Sequence, residues 1–278
     1  MITGMAGFIA NDTIIKIVGA TMPLGQLLFV RGVMATALIT GLVVVFRQAF
    51  SVPRAVWPWI TVRLLGEQMV TLSFLTALMN MPMANATAIL QLTPIAMTFA
   101  AILVFGETVG WRRWTAIITG LIGVLIIIRP GMEGFSNYSL LVVVAVIGSV
   151  IRDTATRKLP KSVHNLTITA YTSAAISCTG LIMMTVSGNT IPLDFSIIGA
   201  LFASAIFVLV GYFGLSAAVR QGDLAVVTPF RYSAFPIAIV LGYLAFGDLP
   251  DFWTVVGATI VIASGIVTIV RNIQTRHV

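Results

Sequence analysis

The chain has 278 residues, of which 58% are hydrophobic and 9% charged, where an ordinary soluble domain carries roughly 25% charged residues. That balance, with a mean hydropathy of +1.04 over the whole length, excludes a water-soluble enzyme or binding module and leaves no room for a separate soluble domain. The net charge of +7 does not read as nucleic-acid binding, because the basic residues flank apolar runs instead of covering one face.

A helix needs roughly 20 apolar residues to cross the hydrocarbon core of a bilayer. In chain order, runs of that kind fall at 2–20, 24–46, 57–79, 84–105, 112–129, 138–157, 166–187, 194–218, 225–246 and 252–270. The expected fold is therefore all-α, a polytopic membrane protein of about ten spans. The first run has no basic region before it and no small-residue cleavage site after it, so it reads as a retained span and not a signal peptide. Breakers mark the short connections: Pro23, Pro53 and Pro58, Pro82, Pro130-Gly131, Pro160, Pro192 and Pro250. The single cysteine, Cys178, lies inside an apolar run and is expected to be an inert core residue.

Lysine and arginine are enriched in short cytoplasmic loops. Arg47, Arg54, Arg112, Arg113, Arg152, Arg157, Lys158, Lys161, Arg220, Arg271 and Arg276 all fall on one side of this arrangement, and Arg129 alone falls in the opposite loops. The bias places both termini in the cytoplasm and the protein in a plasma or inner membrane.

Asp12-Thr13 recurs as Asp153-Thr154, 141 residues on. The same spacing carries Ala77 onto Ala218, Ala84 onto Ala225, Thr87 onto Thr228, Leu103 onto Leu244 and Phe105-Gly106-Glu107 onto Phe246-Gly247-Asp248. Repetition at one spacing divides the chain into residues 1–132 and 133–278. Each half holds five spans, an odd number, so the second copy enters the membrane from the opposite face. Inverted repeats of this kind build many secondary transporters, with the solute site near the midplane.

In these features the chain resembles the EamA branch of the drug/metabolite transporter superfamily. The resemblance rests on Asn11-Asp12 and Lys16 in the first span, Pro23 and Arg31 in the second, Leu92-Thr93-Pro94 running to Phe105-Gly106-Glu107, and Pro236 running to Phe246-Gly247-Asp248. A glycine-bearing span follows each of the last two, with Gly120 and Gly123 in one and Gly257 and Gly265 in the other. Asp248 stands where members often carry glutamate, and no arginine in the seventh span answers Arg31. The resemblance implies transport of a metabolite, with no cofactor.

Ionisable groups at bilayer depth cost roughly 2.5 to 3.5 kcal/mol each on insertion scales, so they face a cavity or a partner. Glu67, with Gln68 beside it, sits near the middle of the third span, and Arg63 four residues earlier is placed to pair with it. The pair reads either as structural or as a proton-carrying or amine-binding carboxylate. Asp12 and Lys16 repeat that spacing in the first span, and Arg31 is placed to neutralise Asp12 or to clamp a substrate carboxylate. Arg152-Asp153 and Arg231-Tyr232 fall nearer the cytoplasmic edge, where Arg152 is expected to snorkel as an anchor. Asn85, Gln91, Tyr171 and Tyr212 complete the candidate substrate site. Pro94 and Pro236 break the helical ladder and are expected to act as hinges. Five tryptophans at span ends, Trp57, Trp59, Trp111, Trp114 and Trp253, read as interfacial anchors, and Gly120 and Gly123 as a close-packing seam, at a dimer contact if the protein is a homodimer and not a monomer.

His164 and His277 lie outside the spans, which argues against a resident metal or haem, and no ATP-binding motif is present. The expected function is gradient-driven transport of an amino acid, amine or vitamin-like solute, with the first to fourth and sixth to ninth spans lining the path. The alternative is a membrane-embedded enzyme acting on a lipid or lipid-linked substrate through Asp12, Glu67 or Asp153.

Overall fold

The computed structural model describes residues 1–47, 52–105, 111–131, 136–160, 162–221 and 228–274, and these are helical with no strand. Gly106, Glu107, Lys161, Ala225, Arg276, His277 and the repeat boundary at 132–133 lie outside the described residues, as do the side chains of Phe105, Arg112, Arg113, Ala218, Arg220, Thr228 and Arg271. The elements are α1 (Ile2–Gly19), α2 (Leu24–Val45), α3 (Trp57–Asn80), α4 (Met83–Leu90), α5 (Thr93–Phe105), α6 (Trp111–Ile128), α7 (Tyr138–Arg157), α8 (Asn165–Ser187), α9 (Phe195–Gln221), α10 (Ala234–Phe246) and α11 (Phe252–Gln274). A short 3₁₀ turn, Arg54–Val56, leads into α3, and another, Thr228–Ser233, leads into α10.

Among the described residues, six segments are long and apolar enough to cross a membrane: Leu24–Val45, Arg54–Asn80, Met83–Val104, Tyr138–Arg157, Asn165–Ser187 and Phe195–Gly214. Trp114–Ile128, Phe230–Phe246 and Phe252–Val267 are shorter apolar helices. Exposed Leu103, Ile118, Leu121, Leu125, Phe195 and Leu244 make the outer surface apolar, a surface suited to lipid and not to water.

Two expected spans are not continuous. The run at 84–105 breaks between α4 and α5, because Pro94 has no N–H to give the Leu90 carbonyl; the Thr93 hydroxyl donates to that oxygen instead, at 2.7 Å. In the run at 225–246 the 3₁₀ turn Thr228–Ser233 comes before α10, and Pro236 likewise leaves the Tyr232 carbonyl without its helical donor. Gln91 Nε2 reaches across from the first break to donate to it at 3.2 Å. The two breaks therefore lie against each other.

Four helix pairs form the body: α1 on α9, α2 on α8, α3 on α7 and α6 on α11. Lipid gives no hydrophobic drive for helix association, so close backbone approach through small residues supplies much of it. In α6–α11, a Cβ on Gly123 would lie 2.9 Å from the Gly257 carbonyl oxygen. That corrects the expected place of Gly120 and Gly123: they pack within the chain, against Ile95, Ser264 and α11. Cys178 is also corrected, being exposed on the outer face of α8 and not in the core.

Candidate functional site

A layer of charged and polar side chains crosses the interior where α1, α2, α3, α7, α8 and α9 converge. Its position follows from the α3–α7 seam. A Cβ on Gly66 would come within 2.8 Å of the Arg152 backbone nitrogen and 2.9 Å of the Gly148 carbonyl oxygen, so only glycine permits this approach. The next residue on α3 is Glu67, 4% exposed, and the approach brings it to Arg152, with Nη1 3.5 Å from Oε2. Arg152 Nε also donates to Asp153 Oδ1 at 2.8 Å, and the Tyr212 hydroxyl of α9 donates to Glu67 Oε1 at 3.3 Å.

A second group adjoins it. Asn11 Oδ1 on α1 accepts from Arg31 Nη1 at 3.0 Å and from the Ser204 hydroxyl at 2.7 Å, while its amide donates to Asp12 Oδ1 at 2.9 Å. Arg31 is 8% exposed, and its Nε has no partner among the described residues. The Tyr212 hydroxyl, bonded to Glu67, also lies within the electrostatic reach of Arg31, Arg63 and Arg152. Arg231 joins through its interaction with Asp153.

Asp12, Arg31, Glu67, Tyr212 and Arg231 all meet this layer, Arg231 lying deeper than the cytoplasmic edge expected for it, and the pairings differ from those expected. Glu67 pairs with Arg152 across helices and not with Arg63 on its own helix. The i, i+4 spacing allows that pair, yet Arg63 Nε instead donates to Thr156 Oγ1 at 3.0 Å and Nη1 to Thr172 Oγ1. Arg152 is not a snorkelling anchor: its side chain is 18% exposed and turns inward, because two carboxylates there satisfy it and lipid would not. Lys16 leaves Asp12 altogether. At the opposite end of the molecule from Trp57 and Lys158, it approaches Asp248 Oδ2 to 3.6 Å, donates to the Met81 carbonyl at 2.7 Å and lies 4.8 Å from the Phe246 ring centroid.

Tyr171 sets its ring 5.5 Å edge-on from Trp57. Gln91 is committed to the Tyr232 carbonyl. The Tyr232 hydroxyl, Gln68 Oε1 and Asn85 Oδ1 are buried without a partner among the described residues. Asn11, Ser204, Thr156 and Thr172 were not singled out as site residues. The polar Asn11 beside Asp12 in an apolar helix was a usable signal; a lone serine or threonine in a membrane helix carries none, since it usually bonds its own helix, as Thr172 does to the Ile168 carbonyl.

α1, α9 and α10 border a shallow, open apolar recess of about 540 Å³ lined by Ala6, Gly7, Phe207, Val210, Pro236 and Val240.

The chain is 24% identical over 261 residues to the pseudopaline exporter CntI of Pseudomonas aeruginosa, covering 92% of this chain and 90% of that protein. It is 24% identical over 200 residues to the S-adenosylmethionine uptake transporter of Rickettsia prowazekii, 70% of this chain and 67% of that one. With the riboflavin transporter of Rhizobium johnstonii it shares 25% identity over 236 residues, 83% and 76% of the two chains. A solved crystal structure aligns over 99% of this chain and 98% of its own, with a TM-score of 0.62 at 16% identity, a likeness in fold. The model of the EamA-like transporter family matches twice, over residues 1–129 and 137–270. With the relatives transporters and the charges gathered inside a bundle of apolar helices, the chain belongs to the EamA-like transporter family.

Proposed function

We propose that this protein is a secondary transporter that moves a small organic metabolite across the bacterial inner membrane by alternating access between two inverted five-span halves, residues 1–132 and 133–278. Ten spans result when α4 with α5, and the 3₁₀ turn with α10, each count as one broken crossing. The double match of the family model supports the division. So does the pairing of helices: with α7 equivalent to α1 and α9 to α3, the pair α1–α9 exchanges with α7–α3, while α2–α8 and α6–α11 map onto themselves. Gln91 and Tyr232, the residues that join the two breaks, stand 141 apart, the spacing of the sequence repeat.

One observation carries the reading: the buried charged layer draws partners from both halves, Glu67 with Arg152 and Asn11 with Ser204. A relative movement of the halves exchanges these partners for solute contacts. Substrate contacts fall to Asp12, Arg31, Glu67, Tyr212 and Arg231, and the unpartnered polar atoms of Gln68, Asn85 and Tyr232 supply further ones. Pro94 and Pro236 provide bending points, while Gln91 and Tyr171 serve the scaffold. Glu67 or Asp12 carries a coupling proton.

Both termini are cytoplasmic in this reading, by the lysine and arginine bias. The end bearing Lys16, Asp248, Arg129 and Asp251 is then external. Lys16–Asp248 and the two hydrogen bonds between Gln26 and the Ile191 backbone, at 2.7 and 2.8 Å, tie the halves together there and must part for release outward.

Reconstitution of the purified chain in liposomes, with labelled riboflavin, S-adenosylmethionine and an amino-acid mixture as probes, tests the reading. At least one probe crosses faster than in empty liposomes, responds to an imposed pH gradient, and loses that flux in Glu67→Gln. No flux for any probe, together with a lipid composition altered by the wild type but not by Glu67→Gln, would instead identify a lipid-modifying enzyme.

A further inference from the structure

The charges of the central layer do not cancel. Among the described residues it holds four guanidiniums, Arg31, Arg63, Arg152 and Arg231, against three carboxylates, Asp12, Glu67 and Asp153. Guanidinium groups stay protonated in proteins. The excess is therefore at least one positive charge, and any carboxylate that takes up a proton enlarges it.

The excess is also localised. Glu67 and Asp153 both engage Arg152, and Arg231 faces Asp153; Arg31 and Arg63 have no ion-pair contact among the described residues, Asp12 and Glu67 acting on Arg31 only from further off. Arg31 and Arg63 are each 8% exposed. Their hydrogen bonds go to neutral groups only, Asn11 for Arg31 and Thr156 and Thr172 for Arg63, and Arg31 Nε has none. A buried unpaired charge is unfavourable by several kcal/mol on general grounds. Neutral hydrogen bonds offset part of that, and a counter-charge offsets more.

We propose that the transported solute presents a carboxylate to Arg31 and Arg63 beside the Tyr212 hydroxyl, so that the protein selects carboxylate-bearing solutes over neutral or cationic ones. This deepens the transport reading above and rests on it for the site, though binding is measured separately from flux. A monoanion matches an excess of one charge, whereas a phosphate monoester near −2 overshoots it. The planar fork of arginine suits the two oxygens of a carboxylate. A cation entering the layer adds to an excess already present, and the repulsion is strong where water is scarce.

Thermal unfolding of the full chain in detergent, at fixed ionic strength, tests this with two matched series: pentanoate, pentanamide and pentylamine, then 3-phenylpropionate, 3-phenylpropionamide and 3-phenylpropylamine. The acid of at least one series raises the melting temperature by roughly 2 °C or more at concentrations well above its dissociation constant, and its amide and amine do not. Arg31→Gln and Arg63→Gln weaken that binding at least roughly tenfold, the scale of one charged hydrogen bond. Arg31→Lys, which keeps the charge, keeps part of it and guards against a variant that fails to fold. Stabilisation by amines or amides alone, by no probe at all, or by acids equally well in the wild type and in both glutamine variants overturns the proposal. Acid binding with no flux in liposomes leaves the selectivity standing and removes the transport reading; flux confined to amines or neutral solutes does the reverse.

Discussion

Of the glycine seams that hold this bundle together, those of α6–α11 and α3–α7 differ in what they enclose. In α6–α11, Gly123 and Gly257 bring the backbones into contact between Val124, Ile127, Ala258 and Val261, all buried and apolar. In α3–α7, Gly66 and Gly148 do the same, but the residues beside them are Glu67, Arg152 and Asp153. The first seam has one favourable arrangement, because nothing in it has an alternative partner. The second presses charges together that can exchange partners, and a switch between two states of the molecule needs such an element. Close packing alone therefore does not mark a moving part; the chemistry confined by the packing does.

The largest effect is expected where that chemistry is broken. Arg152→Met leaves Glu67 and Asp153 buried without their cation, and loss of one partner of a buried ion pair costs about 3 to 5 kcal/mol. Unfolding measured in detergent falls by that amount, and flux in liposomes is lost. Restored stability in the double variant Arg152→Met with Glu67→Gln, without restored flux, ties the first effect to charge and the second to transport. Unchanged stability in the single variant means the layer is hydrated and the pair is not what holds α3 to α7.

A direct contrast between the seams comes next in size. Gly123→Val and Gly66→Val each insert a side chain into backbone contact, and overpacking of this kind costs about 1 to 3 kcal/mol. Both variants lose stability. Flux per folded molecule survives in Gly123→Val and disappears in Gly66→Val, since only the second separates Glu67 from Arg152. Equal flux in the two variants would erase the distinction between the seams.

The ties at the Lys16 end of the bundle give a smaller effect. Lys16→Met removes the approach to Asp248 and the donor to the Met81 carbonyl, a loss of about 1 kcal/mol for a partly exposed pair. In a Cys178→Ser background, a cysteine at Met81, 6% exposed, then reacts roughly fivefold faster with an impermeant maleimide, the population change such an energy produces. No change in rate means that Lys16 does not hold that end closed.

Hydropathy and prolines located most helix ends to within a residue or two, because the length of a crossing and the backbone limits of proline are local properties. The gathering of Asp12, Arg31, Glu67 and Tyr212 was also legible, since an ionisable group in an apolar helix has few places to go. Partner choice was not. Arg63 stands one turn from Glu67 in sequence, and only the approach of α7 at Gly148 offers Glu67 a different arginine. Lys16 stands one turn from Asp12 by the same spacing, yet its long side chain reaches Asp248 in the loop after α10. The split at Gln91 was visible as Pro94, but nothing local says that Gln91 repairs a carbonyl freed by Pro236 on another span.

The smallest expected effect lies outside the membrane, at the start of α11. Asp251 caps that helix, accepting the Thr254 N–H at 2.7 Å, and its other oxygen meets Arg129. Partial burial favours the protonated acid, but the Arg129 and Thr254 hydrogen bonds outweigh it and hold the carboxyl below its ordinary range. A carboxylate depressed in the folded state contributes stability above its unfolded pKa, about 3.9, and loses that contribution as the pH falls through its folded value. Because the side chain is 48% exposed, screening by water and salt limits the ion pair to about a few tenths of a kcal/mol. Asn is as good a cap as Asp, so Asp251→Asn isolates the pair: the variant is less stable by that small amount near neutral pH and equal to the wild type once the pH has fallen through the depressed folded-state range of the carboxyl. Roughly 1 M salt narrows the gap in the same way, the screening length there being about 3 Å. A difference that widened on acidification would mean that Asp251 holds a proton in the folded state, and that Arg129 is not its effective partner.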